Sequence, residues 1–197
     1  MTEEPSEPLF MHNEPGPRFA IKTLAHALCS AGVPYSTSHA RVAGYAKKNL
    51  IYVREKGVAT QPNMYAASDM AAALLLSSLQ DLGIADQEVH QVASLACYAW
   101  TESAPEGASV HPIHHVLHAA QHGHSTVFNL DVFRNLETNE RHFRAYFSNA
   151  SQMEPIGDPI EVPPSWVPMA GVVVVLDNHL QPVLRAVHDA TYGQRKN

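Results

Sequence analysis

The stretch YAASDMAAALLLSSLQDLGIADQEVHQVASLACYAW, residues 65–100, decides how this chain is read. Met70, Ala73, Leu74, Leu76, Leu79 and Leu82 recur at helical spacing, so the first half predicts an apolar-striped helix with Ser68 as its cap and Gly83 as its stop. A second helix starts at Asp86, whose carboxylate is placed to accept from first-turn N–H groups, and runs through Val89, Val92, Leu95 and Ala96 toward Trp100.

Upstream, RFAIKTLAHALCSA (18–31) predicts another amphipathic helix on Phe19, Ile21, Leu24, Ala27 and Leu28, stopped by Gly32-Val33-Pro34. STSHARVA then predicts a short helix ending at Gly44, and GYAKKNLIYVREKG (44–57) a second one carrying Lys47, Lys48, Asn49, Tyr52 and Arg54. Two short helices about a glycine turn, the second rich in Lys, Asn and Tyr, read as a helix-turn-helix.

Charge supports that reading. The chain has a formal net charge of −6, yet residues 18–60 hold seven bases and one acid, flanked by an acidic 1–17 and an acidic 61–197. A local cationic excess of this kind is the footprint of a surface that meets phosphates. A solvated basic face is the plain alternative.

Residues 35–92 resemble the N-terminal DNA-binding domain of the MerR family of transcriptional regulators. The resemblance rests on Ala40 to Gly44, on AKKNLIYVREKG with its Glu55-Lys56-Gly57, on YAASDM, and on Leu79, Leu82, Gly83, Ile84, Ala85, Glu88 and Val89. The chain departs from the pattern in three places. Ile51-Tyr52-Val53 stands where the family has an arginine and two aromatic residues, with the arginine displaced to Arg54. The wing segment VATQPNM is short and lacks a base, and the helix at 18–31 is extra.

The resemblance implies a mainly α, winged helix-turn-helix domain over 18–100 that binds pseudo-palindromic promoter DNA as a homodimer. Many such proteins distort the promoter spacer so that RNA polymerase can use it, which makes polymerase an indirect partner. In the recognition helix, Lys47, Lys48 and Asn49 would reach base edges, since Lys suits guanine and Asn suits adenine. Arg41, Tyr52, Arg54 and Lys56 would clamp the phosphate backbone, with Tyr52 in the core and Arg54 paired to an acid as the plain alternatives.

HPIHHVLHAAQHGH (111–124) holds six of the thirteen histidines. Pro112 suits a first helical turn after a His111 cap, and Gly123 ends the helix. His114, His115, His118 and His122 fall within a ~100° stripe opposite Ile113, Val116, Leu117 and Ala120. Imidazoles at i and i+4 can chelate Zn²⁺ or another divalent metal, which makes His114, His118 and His122 a candidate site. A polar face that happens to be histidine-rich is the alternative. The apolar side of this helix is expected to need a partner, and a dimer contact beyond about residue 93 would supply one.

Residues 124–190 read as a small α+β sensor or dimerisation module with an antiparallel sheet. STVFNLDVF and RHFRAYFS alternate about the turn LETNE as a hairpin. GVVVVLD reads as a buried strand, and LQPVLRAV, with Pro182, as an edge strand or short helix after an Asp177-Asn178 turn. Residues 101–123 would be linker and histidine helix, 1–17 a disordered acidic start, and 191–197 a tail.

The rest is exclusion. No apolar run reaches membrane-spanning length, and the acidic, Pro-rich start is unlike a secretory signal, so a cytoplasmic location is expected. Cys29 and Cys97 are expected to be buried reduced thiols. No phosphate loop, nucleophile elbow or supported carboxylate pair is present, so catalysis is not expected. Two alternatives of other classes stand beside the regulator: a metal-binding protein or metal-dependent enzyme built on the histidine helix, and a protein-interaction module on a MerR-like fold.

Overall fold

A computed structural model describes residues 16–99, 111–151, 155, 156 and 164–192. The acidic N-terminal segment, the linker before the histidine helix and most of the Pro-rich connector therefore lie outside the described residues. Those described form a mixed α/β fold of six helices and two antiparallel sheets.

The chain enters as strand β1 (Phe19–Ala20), which pairs with β2 (Met64–Tyr65) through Phe19 opposite Tyr65. Helix α1 (Ile21–Ser30) follows directly, so Phe19 lies in a strand rather than in the predicted helix. Residues 31–34 turn the chain into α2 (Tyr35–Lys47). This corrects the expected pair of short helices: α2 runs straight through Gly44, and residues 50–63 form no helix.

The stop comes at Asn49. Its φ of 54° is left-handed, a conformation Asn tolerates better than most residues. The Asn49 N–H donates to Ala46 O (3.1 Å) and the Leu50 N–H to Tyr45 O (2.9 Å), while Leu50 is buried. That is a Schellman closure with an apolar anchor, and glycine gives the same hydrogen-bond pattern at Gly32, Gly83 and Gly123.

Helix α3 (Ala67–Asp81) is the centre of the molecule. Met70 through Leu76 are all buried, as is Leu79, so the helix is apolar around its circumference rather than along a stripe. A fully buried Leu contributes roughly 1.5–3 kcal/mol relative to exposure, and α3 carries Leu74, Leu75, Leu76 and Leu79 in that condition. It contacts α1 and α2 on one side and α4 (Gln87–Tyr98), α5 (Pro112–Gln121) and α6 (Asp177–Tyr192) on others. Ser68 is not the cap. The cap is Ala66, whose N–H donates to the Asp69 carboxylate at 2.8 Å. Asp86 caps α4 as expected, accepting from Glu88 N at 2.8 Å.

The larger sheet has the order β5-β4-β3-β6, with β3 (Thr126–Asn135), β4 (Arg141–Asn149), β5 (Pro155–Ile156) and β6 (Trp166–Val175). The predicted β3–β4 hairpin is present, with Phe128 opposite Phe147. Its core face, including Phe128, Leu130, Phe143, Phe147 and Val174, joins the buried residues of the helical half in one continuous cluster. Ile113, Val116 and Leu117 of α5 belong to that cluster, so the apolar side of the histidine helix is already covered within the chain.

One strand expectation changes, and of the two alternatives for LQPVLRAV the helix is the one present. The four-valine run is an edge strand, with Val173 and Val175 each 56 % exposed. LQPVLRAV is part of the long helix α6, with Pro182 inside it. Asp177 ties the start of α6 to β3 by accepting from Thr126 N (3.2 Å) and Ser125 Oγ. Cys97 is buried, which raises its thiol pKa, whereas Cys29 is exposed, against expectation.

Candidate nucleic-acid interface

Seven bases lie between residues 18 and 60, and the fold divides them. Arg18 meets Glu55 at 3.5 Å, Arg41 meets Asp81 at 2.7 Å, and Arg54 meets Asp69 at 2.9 Å. Lys22, Lys47, Lys48 and Lys56 are exposed. The cationic surface is therefore made of lysines, while the arginines hold the structure together.

Arg54 is the clearest case. Its side chain is 1 % exposed and that of Asp69 is 0 % exposed. The guanidinium donates through Nε to Asp69 Oδ2 (2.9 Å) and through one terminal nitrogen to Asp69 Oδ1 (3.2 Å) and Ser68 Oγ (3.1 Å). Asp69 also accepts from Tyr52 N (3.1 Å), Ala66 N (2.8 Å) and the Tyr98 hydroxyl (2.7 Å). Burial, followed by the Asp69 charge, holds the Tyr98 phenol well above its usual range. The Arg54 guanidinium lies 5.8 Å from the Tyr98 ring centroid, within cation–π range. Arg54 is thus a core residue that pins the 50–65 loop to α3 and α4, and the expected phosphate clamp is corrected.

The other clamp candidates divide similarly. Arg41 is mostly buried; besides Asp81 it donates to Ser77 Oγ at 2.6 Å, and the Asp81 hydrogen bond raises its pKa. It braces α2 against the end of α3. Tyr52 is half-buried with its ring edge-on to Tyr98 at 4.8 Å, and burial raises its pKa. Lys56 is exposed on the excursion 54–64, where Arg54 N donates to Met64 O (2.8 Å) and Met64 N donates to Glu55 O (2.9 Å). Gly57 closes this excursion: a Cβ there would lie 2.0 Å from Gln61 O.

Lys47, Lys48 and Asn49 sit at the C-terminal end of α2, not at the start of a reading helix. Residues 50–63 form no helix that could place them against base edges, so that expectation is corrected too. The first turns of α2 present a different set. Tyr35, Ser36, Thr37 and Ala40 are exposed and His39 half-exposed, while Ser38, Val42 and Tyr45 face inward. Tyr35 contacts the His26 ring at 4.8 Å and the His39 ring at 6.4 Å. The sequence signal for this face was the Gly32-Val33-Pro34 stop just before Tyr35, which fixes where the second helix begins.

No protein-family model, curated protein or solved structure matches this chain.

The candidate metal trio does not converge. His114 Nδ1 accepts from the His111 N–H at 3.3 Å, and His122 Nδ1 bonds back to His118 O at 2.8 Å. These contacts occupy only Nδ1 of His114 and His122, and the His118 and His122 ring centroids lie 4.2 Å apart. Among the described residues no group of three or more His, Cys, Asp or Glu could hold a metal ion. His115 is half-buried, which lowers its pKa, with His114 and His118 as further causes. His111 is buried at the N-cap of α5, edge-on to Tyr98 at 5.8 Å, and its pKa is lowered chiefly by burial. Among the described residues, no helix is long and apolar enough to cross a membrane.

Proposed function

We propose that this protein is a sequence-specific, double-stranded DNA-binding regulator of the MerR-like type, acting as a homodimer, with α1 and α2 as the helix-turn-helix and α2 as the reading helix. The helix at 18–31, surplus to the family pattern when read from sequence, then becomes the first helix of the pair. The excursion 54–64 takes the place of the wing.

One observation carries the reading. The N-terminal turns of α2 offer the exposed hydrogen-bonding side chains of Tyr35, Ser36 and Thr37 and the half-exposed His39, while the same helix is braced from behind by Arg41, Val42 and Tyr45. In helix-turn-helix proteins the N-terminal residues of the second helix contact base edges. Lys47 and Lys48 at the end of the same helix, and Lys22 on α1, are exposed cations suited to phosphates, which position the protein without reading sequence. A single unit of this size buries too little surface for tight specific binding, so two copies on two half-sites are required.

Selection of bound fragments from a random duplex library tests this directly. Enrichment of a pseudo-palindromic motif is expected. Thr37→Glu should abolish binding to the enriched fragment, and Lys47→Ala with Lys48→Ala should weaken binding evenly across sequences, reducing the salt slope by about 1 for each phosphate no longer neutralised. No enriched motif, or full affinity in the Thr37→Glu protein, would refute the assignment.

A further inference from the structure

Among the described residues the larger sheet ends on one side in the two-residue β5 and on the other in the ten-residue β6. Long edge strands present a row of unpaired N–H and C=O groups, and folded proteins blunt them with charge, proline or a bulge. β6 is blunted over only part of its length. Pro168 removes one donor, and the register against β3 shifts between Val132 and Phe133, which leaves Met169 as the extra residue of a bulge. From Ala170 to Val175 pairing with β3 is regular, and this half has neither proline nor charge.

We propose that the Ala170–Val175 edge pairs with the same strand of a second copy of this chain, joining the two four-stranded sheets into one. Three observations select a second copy as the occupant. A twofold axis sets a strand against itself, so any charge on it would face its own kind. β6, WVPMAGVVVV, has no ionisable side chain although the chain carries a net charge of −6. Antiparallel pairing through the twofold is self-complementary: centred on Val173, it sets Val173 beside its copy and Val175 opposite Gly171. The small glycine leaves room there, since its nearest neighbour to an added Cβ is Asp131 Oδ1 at 3.5 Å. Finally, the edge borders a cleft of about 360 Å³ whose lining includes Leu82, itself 60 % exposed, with Val33 and Leu74, and also Asp81 and His179.

This pairing supplies the two copies that the DNA-binding reading requires, yet it is tested without DNA. Sedimentation velocity of the full chain across micromolar concentrations should show a dimer. Val173→Lys should convert it to monomer because the two lysines would face each other across the twofold, and Val175→Lys, separately, because it places a charge against Gly171 of the other copy in an apolar seam. Leu136→Lys, at a 71 % exposed site in the β3–β4 turn, should leave the dimer intact. Far-UV circular dichroism of each variant should overlay the parent, as expected for exposed positions. A parent protein that is monomeric throughout, or a dimer that both edge lysines leave unchanged, overturns the proposal. A monomeric protein that still enriches a DNA motif overturns the strand pairing alone and leaves the DNA reading on its own evidence.

Discussion

Replacing Arg54 by Met separates a core role from a DNA-contact role. In the native chain Asp69 accepts five hydrogen bonds, two of them from Arg54, with both side chains sealed from water. Arg54→Met leaves a buried carboxylate without its countercharge. Breaking a buried pair by removing one partner costs about 3–5 kcal/mol. The lower end applies here, near ~3 kcal/mol, because Tyr52 N, Ala66 N and the Tyr98 hydroxyl still donate to Asp69. For a domain of this size that corresponds to a fall in Tm of about 6–12 °C. Asp69→Asn should cost more, ~4 kcal/mol or above, since it strands the guanidinium and sets an amide among donors. The double variant should be less destabilised than the sum of the singles by about 1–3 kcal/mol, because the two residues act as one unit. Urea unfolding followed by circular dichroism measures all three. An Arg54→Met protein within ~0.5 kcal/mol of the parent would mean an exposed arginine and would refute the buried-network account.

Other outcomes are equally direct. Asn49→Ala should destabilise by about 1–2 kcal/mol in the same urea assay, because a φ of 54° is costly for alanine, whereas Asn49→Gly should be near neutral. Gly57→Ala should destabilise by about 1–3 kcal/mol, since its Cβ would collide with the backbone at Gln61 and Pro62. His90 and His111 have lowered pKa values, chiefly from burial, so the unfolded chain takes up their protons first. Stability should therefore be full above the unfolded value of about 6.5 and fall as pH drops through it toward the lower folded values. His90→Gln should flatten that slope in unfolding measured across pH, and an unchanged slope would exclude His90 from it.

The helices at 21–30, 67–81 and 87–98, the histidine helix and the β3–β4 hairpin were legible because each rests on a local pattern. Apolar spacing, an Asp86 cap, Gly32, Gly83 and Gly123 as stops, and the alternation of Phe128, Leu130 and Val132 with Asn129 and Asp131 all act within a few residues of themselves. Other features were decided only in three dimensions. Whether Arg54 faces solvent or core depends on Asp69, 15 residues away, and Tyr98, 44 residues away, converging on it. Whether Gly44 breaks a helix depends on the competing Schellman stop at Asn49, which gains the burial of Leu50. A run of four valines is as compatible with a sheet centre as with an edge, and only the strand order put β6 outside. The excess of basic residues was plain in the chain, but the distribution of acids from residues 55, 69 and 81 turned the arginines into braces and left the lysines at the surface. Charge count is a property of composition; which charges remain available to a partner is set by which opposite charges the fold brings within hydrogen-bonding distance.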